Sequence, residues 1–178
     1  DGTVRMGIQN QLRMLDIGFG TIAKFPEYRA RPVIIGESDP EGCAACSARI
    51  YPQNAYRNGT LYSSYTAAAF ARKHDLAARH GVNLEGAVTW AFTFEDQPYF
   101  AGFRQIATNG LPMAVFNVFR MYARMAPDRV RAASTGQVPL DAIIRDGVRG
   151  APDVGVLASR GPGRLTIMVW HYHDDDVP

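Results

Sequence analysis

Val33-Ile-Ile-Gly-Glu37-Ser-Asp-Pro-Glu-Gly42 is a short apolar run that stops at a carboxylate. The β-branched residues at 33–35 predict a buried strand, and the turn-forming residues at 39–42 direct the chain away from it. In a barrel of parallel strands, side chains at the carboxyl ends of the strands form the active site. Glu37 is therefore a candidate nucleophile or acid/base group. The alternative is a strand-terminal glutamate that only faces solvent.

A second strand that ends in acids is predicted at residues 84–94. Apolar residues alternate with smaller ones along this segment, as they do in a half-buried strand, and two acidic residues follow it. Aromatic faces stack on sugar rings, and carboxylates accept hydrogen bonds from sugar hydroxyls. Trp90, Glu95 and Asp96 are therefore candidate carbohydrate ligands. Ordinary core aromatics followed by solvated acids would give the same pattern.

The composition of the chain indicates a globular protein and argues against a nucleic-acid or membrane partner. A chain of 178 residues can bury one good core, and 47% hydrophobic with 20% charged residues is typical of a soluble globular protein. The formal net charge of +2, without basic clusters among aromatics, argues against a nucleic-acid partner. No apolar run approaches the roughly 20 residues of a membrane span. The first residue is Asp1, so targeting information could be missing, and a cytoplasmic or periplasmic location is expected rather than a membrane one.

Cysteine and histidine spacings give weak signals. Cys43 and Cys46 form a single C-x-x-C in the loop after Glu37, and without a second pair the motif argues against structural zinc. We expect two reduced cysteines, with a disulfide or thiol role as the alternative. His171 and His173 would point the same way on a strand, a spacing that can bind zinc or copper. A strand leading into an acidic turn is the preferred interpretation, so neither metal nor cofactor is predicted.

The order of elements indicates an α/β fold. Apolar spacing predicts a helix from Ile8 to Ile22 that ends near Pro26, and further helices are predicted at about 61–80 and 113–125. Strands and helices that alternate in this way form parallel units joined by right-handed crossovers. Two strands cannot close a barrel, so residues 1–126 are predicted to be the C-terminal portion of a (β/α)8 TIM barrel.

Residues 127–178 differ in character and predict short strands at 129–133, 154–158 and 165–173. On the last strand, one set of apolar side chains occupies each face, so both faces are expected to be covered. The two sets are Leu165, Ile167 and Val169 on one face and Met168, Trp170 and Tyr172 on the other. This region is interpreted as the start of an all-β sandwich accessory domain.

Four segments carry a resemblance to a known family. They are Gly36-Glu-Ser-Asp-Pro-Glu-Gly42, Leu84-Glu-Gly-Ala-Val-Thr-Trp-Ala-Phe-Thr-Phe-Glu-Asp-Gln-Pro-Tyr-Phe100, Asn117-Val-Phe-Arg-Met121 and Val169-Trp-His-Tyr-His-Asp-Asp-Asp176. The chain resembles glycoside hydrolase family 39, whose best-known members are β-xylosidases. The resemblance implies a TIM barrel with a β-sandwich attached, a retaining mechanism, and a xylose-containing oligosaccharide as the substrate.

The resemblance also assigns roles to residues. It implies that Glu37, at the end of the seventh barrel strand, is the nucleophile and that Trp90, in the eighth strand, lines the subsite of the reacting sugar. Glu95 and Asp96 would hydrogen-bond sugar hydroxyls. The family's acid/base glutamate follows an asparagine at the end of the fourth strand, and this chain has no Asn-Glu dipeptide. The missing N-terminal part of the same barrel is therefore expected to supply it, and the isolated fragment is expected to be inactive.

Three alternatives stay open. Asp39 or Glu41 could replace the missing acid/base group, although the alternation and the turn are expected to point both elsewhere. The chain could be a degenerate barrel that binds carbohydrate without catalysis. An α-L-iduronidase-like enzyme of the same family would need basic residues near the sugar, and Arg104 and Arg120 are available for that purpose.

Overall fold

The structure, a computed structural model, describes residues 6–175. The helices are α1 (Ile8–Ile22), α2 (Pro26–Arg29), a 3₁₀ helix (Pro52–Asn58), α3 (Thr60–His80), α4 (Ala114–Arg124) and α5 (Leu140–Asp146). The strands are β1 (Val33–Ile35), β2 (Leu84–Ala87), β3 (Ala107–Thr108), β4 (Leu111–Pro112), β5 (Asp128–Val130), β6 (Asp153–Gly161) and β7 (Arg164–Tyr172). The mixed helix and strand content confirms the predicted α/β class at that level. Within residues 6–175 the sheets are small, and neither a closed barrel nor a sandwich is formed.

The three long helices form where the sequence predicts them. Helix α1 buries the predicted apolar stripe, including Ile8, Leu12 and Phe19. Helix α3 ends at Gly81, whose φ of +64° is left-handed and costs glycine little because it has no Cβ. Helix α4 turns Val115 and Val118 into the core. Within the part of the chain that the structure describes, no helix is both long and apolar enough to cross a bilayer.

Strands β1 and β2 pair in parallel, as the sequence predicts. The register runs from Val33↔Leu84 to Ile35↔Ala87, and α3 lies between the two strands in the sequence. The predicted length of the second strand is wrong, because β2 ends at Ala87 rather than near residue 94. Residues 88–106 instead form a loop whose two ends hydrogen-bond to each other, with Ala91 N donating to Arg104 O at 3.1 Å.

Strands β5, β6 and β7 form an antiparallel sheet, in which β6 and β7 are joined by a tight turn at 162–163. The inner face of β7 is buried and consists of Met168, Trp170 and Tyr172. The prediction that both faces are covered is wrong, because the other face is 61–63% exposed and is formed by Leu165, Ile167 and Val169. One face therefore packs on the helices while the other lies open.

A buried polar contact joins α3 to this sheet. Asp153 of β6 accepts hydrogen bonds from Arg72 of α3 at 2.7 Å and from the indole N–H of Trp170 at 2.9 Å. Apolar residues from α1, α3, α4 and β7 belong to one continuous core. The predicted boundary between residues 126 and 127 thus falls within a shared core, and the division into two domains stays a prediction.

Candidate functional site

Glu37 and Trp90 lie beyond the carboxyl ends of the two parallel strands. Backbone pairing continues past the strands, since Val88 N donates to Ile35 O at 3.0 Å and Ser38 N to Val88 O at 2.9 Å. The Glu37 side chain is 50% exposed and Trp90 is 53% exposed. The structure therefore brings these two predicted site residues to the same edge of the sheet and leaves both accessible.

Arg104 connects the two strand ends. Its guanidinium is fully buried, and Nε donates to the carbonyl oxygen of Trp90 at 2.9 Å. Another of its nitrogens contacts the Glu37 carboxylate and lies 3.4 Å from Asp39. The third donates to the backbone carbonyl of Glu41 and lies 3.3 Å from its carboxylate. Each guanidinium nitrogen of Arg104 thus has an acceptor in one of the two segments that follow the strands.

Asp39 links the segment that follows β1 to the segment that follows β2. Its side chain is only 3% exposed and accepts from the backbone N–H of Trp90 at 3.2 Å and from the Thr89 hydroxyl. Burial raises the pKa of Asp39, although the hydrogen bond from Thr89 and the charge of Arg104 act in the opposite direction. Buried and engaged in this way, Asp39 is poorly placed to exchange protons with a substrate.

Glu41 is held by a second buried arginine. Arg57 donates to the Glu41 carboxylate at 2.7 Å, and the Tyr56 hydroxyl donates to its other oxygen. Burial raises the pKa of Glu41, while the charges of Arg57 and Arg104 lower it. Glu41 is therefore a structural partner of the arginines, which supports the expectation that it does not replace the acid/base group.

These five side chains form one carboxylate–arginine cluster, which consists of Glu37, Asp39, Glu41, Arg57 and Arg104. Glu37 is its most exposed carboxylate, because the Glu41 side chain is 29% exposed and that of Asp39 is nearly buried. The cluster holds one carboxylate by a fixed guanidinium and leaves it accessible from solvent. A nucleophile needs both properties, since reaction requires defined geometry and an open approach.

Aromatic side chains support Trp90. Its ring meets Phe94 edge to face at a centroid distance of 5.6 Å, and Phe94 packs on Phe103 at 5.0 Å. The Trp90–Ala91 peptide bond is cis. Aromatic pairs of this kind fix ring orientation. The contact with Phe94 thus restrains the Trp90 ring, part of which stays exposed.

Glu95 and Asp96 lie elsewhere on the loop 88–106. Both are exposed, and Asp96 adopts a φ of +55°. Among residues 6–175, no described hydrogen bond or ion pair joins either carboxylate to Glu37, Trp90 or the arginines. Their predicted role as sugar ligands stays a prediction.

The cysteines differ from the expectation, because Cys43 and Cys46 form a disulfide rather than two thiols. The predicted histidine pair is split, since His171 is exposed whereas His173 is buried with Nδ1 accepting from the backbone N–H of Asp175 at 3.1 Å. Within the described ranges no group of three histidine, cysteine or carboxylate side chains has the arrangement of a metal site.

Sequence reasoning missed the roles of Asp39, Arg57 and Arg104. Arg104 lies 67 residues after Glu37, in an aromatic loop, and was named only as a basic residue available to bind a substrate carboxylate. Arg57 belongs to a short 3₁₀ helix without any periodic signal. One feature of the sequence could have indicated the arginines. Three acidic residues lie close together at 37–41, and any of them that is buried requires a cation beside it.

Comparisons of the chain with protein-family models, with curated proteins and with solved structures found no match.

Proposed function

We propose that this chain supplies the nucleophile side of the active site of a retaining glycoside hydrolase that acts on β-xylosides or xylo-oligosaccharides. In this proposal, α1, β1, α3, β2 and α4 are the C-terminal part of a (β/α)8 barrel, and β5–β7 begin a β-sandwich. The missing N-terminal part of the barrel supplies the acid/base carboxyl group. The sequence resemblance and the parallel pairing of β1 with β2 support this assignment.

One observation carries the proposal. A buried guanidinium contacts the Glu37 carboxylate and donates to the Trp90 carbonyl, so an accessible carboxylate and an exposed indole are fixed at neighbouring strand ends. Glycosidases need a carboxylate that approaches the anomeric carbon and an apolar surface that orients the sugar ring. The contacts of Arg104 with both residues support the assignment of these two tasks to Glu37 and Trp90.

The proposed reaction has two displacements. In the first, a Glu37 oxygen attacks the anomeric carbon while the upstream carboxylic acid protonates the departing glycosidic oxygen, which leaves a glycosyl ester on Glu37. In the second, the upstream carboxylate takes a proton from water, the water oxygen attacks the anomeric carbon, and Glu37 departs as a carboxylate. The two carboxyl groups in such enzymes lie about 5–5.5 Å apart.

The environments of Arg104 and Arg120 argue against the iduronidase-like alternative. Such an enzyme needs a cation free to bind the substrate carboxylate. Arg104 is buried, and each of its nitrogens already faces a protein acceptor. Arg120 lies on the exposed side of α4, where its guanidinium covers the Phe116 ring at 4.5 Å. We therefore favour an uncharged sugar such as xylose.

The test is hydrolysis of p-nitrophenyl β-xyloside by the protein extended upstream to its natural start, compared with the 178-residue chain. We expect activity only in the extended protein, and Glu37→Gln should lower kcat by on the order of a thousandfold or more. Glu37→Gly should regain turnover when azide is added, and the product should be the α-xylosyl azide, because azide then attacks directly from the vacated face.

Glu27→Gln is the matched control, since Glu27 is an exposed carboxylate on α2. It should leave turnover unchanged. A folded, extended protein that binds xylo-oligosaccharides but hydrolyses none would favour the non-catalytic carbohydrate-binding alternative. Turnover by the 178-residue chain alone would contradict the assignment of the acid/base group to an upstream segment.

A further inference from the structure

The disulfide turn at 43–46 lies against both arginines of the cluster. Arg57 donates to the carbonyl oxygens of Cys43 and Cys46, each at 2.8 Å. The carbonyl oxygen of Ala44, between them, accepts from the backbone N–H of Arg104 at 3.0 Å. Three backbone acceptors inside a covalently closed turn therefore fix one guanidinium and the backbone of the other arginine.

The restraint continues from this turn to Glu37. Arg57 donates to Glu41, Glu41 accepts from Arg104, and Arg104 contacts Glu37. Both guanidiniums are buried, so neither can replace a lost acceptor with bulk water at no cost. A change in the geometry of the turn should therefore alter the position of Glu37 through three side chains, those of Arg57, Glu41 and Arg104.

The disulfide is accessible to a reductant. Cys43 is exposed and Cys46 is partly exposed. Both border a cavity of about 540 Å³ that is also lined by Pro40, Tyr51, Gln53 and Asn54. A thiolate that attacks a disulfide must reach a sulfur atom, and exposure is one of the factors that sets the rate. The opposite side of the turn, where its carbonyls face Arg57 and Arg104, is shielded.

We propose that the Cys43–Cys46 disulfide is a redox-sensitive restraint on the Glu37 site. A dithiol reductant would attack one sulfur through its thiolate, form a mixed disulfide, and then close its own disulfide. Two electrons and two protons pass to the protein, which gains two thiols, and the reductant is oxidised. The opened turn then holds Arg57 and the Arg104 backbone less firmly. The effect on catalysis rests on the proposed function, whereas the coupling between turn and arginines does not.

The Cys43–Cys46 disulfide closes a very short ring, so it removes little chain entropy from the unfolded state. Its influence should therefore be local rather than global. The local test is amide hydrogen exchange, read by mass spectrometry on the full chain with and without dithiothreitol. We expect the Arg104 amide to exchange at least about tenfold faster in the reduced protein, since it loses a fixed acceptor at Ala44.

Amides of the β6–β7 hairpin are the internal reference and should be unchanged. The Cys43→Ser/Cys46→Ser variant should show the fast exchange of the reduced protein and should not respond to dithiothreitol. Equal exchange of the Arg104 amide in both redox states would overturn the proposal. A uniform rise that includes β6 and β7 would overturn it too, because the disulfide would then stabilise the whole fold. Free thiols at Cys43 and Cys46 in air-oxidised protein would also overturn the proposal, because the disulfide would then be absent.

An activity measurement on the extended protein separates the two proposals. Reduction should lower kcat at least about threefold while the Cys→Ser double variant stays insensitive to reductant. If exchange at Arg104 responds and kcat does not, the effect on catalysis is refuted although the restraint exists. If the extended protein has no glycosidase activity at all, the proposed function fails, and the exchange experiment still decides the coupling.

Discussion

Arg104 donates a hydrogen bond from Nε to the backbone carbonyl of Trp90 at 2.9 Å, so the guanidinium that contacts Glu37 is itself oriented by the residue expected to contact the sugar. The Glu37 carboxylate and the Trp90 backbone thus contact the same side chain. Any displacement of Arg104 should affect both, since its side chain is fully buried and contacts both residues.

Removal of the Arg104 side chain should be strongly destabilising. Arg104→Met would leave Asp39 without a cation and Glu41 with Arg57 alone, both within a largely buried site. Loss of one partner of a buried ion pair costs about 3–5 kcal/mol in the free energy of unfolding. Urea denaturation measures this loss. Arg31→Met, at an exposed arginine after α2, is the control and should change stability by less than about 0.5 kcal/mol.

Asp153→Asn should destabilise the contact between α3 and the β-sheet. The Asp153 carboxylate is fully buried and accepts from Arg72, from Trp170 and from the backbone N–H of Val138. An amide of the same shape keeps some of these hydrogen bonds but leaves the buried Arg72 with Asp75, 3.5 Å away, as its remaining counter-charge. A loss of about 3 kcal/mol is therefore expected. Asp128→Asn, at an exposed position in β5, should be nearly neutral in the same denaturation experiment.

Lys73→Met should stabilise the protein, and more so at low pH. Lys73 is 1% exposed, and its Nζ has no hydrogen-bond partner within the described residues, only the Phe70 ring at 3.9 Å. Burial lowers the pKa of Lys73 to about 7, against 10.5 as the ordinary value. Below the folded pKa the protein must bury a charged ammonium group, which opposes folding.

The sign of the pH dependence follows from proton binding. Between the folded and unfolded pKa values, the unfolded chain binds more protons, so wild-type stability rises with pH across that range. Lys73→Met removes this dependence. Its gain in unfolding free energy should exceed about 1 kcal/mol at about pH 6 and shrink towards about pH 10. Lys24→Met, at an exposed lysine, is the control, and a pH-independent gain would contradict the assignment.

Substitutions on the two faces of β7 should have opposite consequences. Ile167, on the exposed face, should tolerate replacement by lysine within about 0.5 kcal/mol and give a less aggregation-prone protein, because the change interrupts an apolar patch. Met168→Ala, one residue further along, should cost about 2–5 kcal/mol, since that side chain is buried. Thermal denaturation and light scattering measure the two effects. A large loss of stability from Ile167→Lys would show that this face is covered.

Periodic signals predicted the helices and the parallel pair well. The stripe in α1, the alanine-rich α3 ended by Gly81, and the β-branched β1 all follow from local pattern and capping. The predicted burial of β1 is wrong, because Ile34 is 62% exposed. The same reasoning placed Glu37 at the end of the first strand, but it put Trp90 inside the second strand, whereas Trp90 lies beyond the end of β2. The length of β2 was wrong because Trp90 and Phe92 alternate as strand residues do, although they occupy a loop that leaves them exposed.

The rest of the site depended on contacts that no local pattern encodes. Arg104 reaches Glu37 across 67 residues, and Arg57 reaches Glu41 across 16. A lone arginine in a loop gives no periodic signal. Its burial can be explained only when its hydrogen-bond acceptors are known, because a buried charge must be paired. The exposure of one face of β7 could not be predicted from the sequence either. A strand that is apolar on both sides is expected to be buried on both, but its pattern does not show whether a covering element is present.

The loop 88–106 leaves the sheet at Val88 and returns to its own beginning, where Ile106 N donates to the carbonyl oxygens of Ala91 and Phe92. Its two ends are thereby closed on each other, and Arg104 anchors the return to the strand end. Residues 95–100, between these closures, are exposed. Insertions or deletions there would leave the backbone closure of the loop, and with it the contact between Arg104 and Trp90, unchanged. Over evolutionary time, such a segment can vary in length and sequence while the fold around Glu37 is retained.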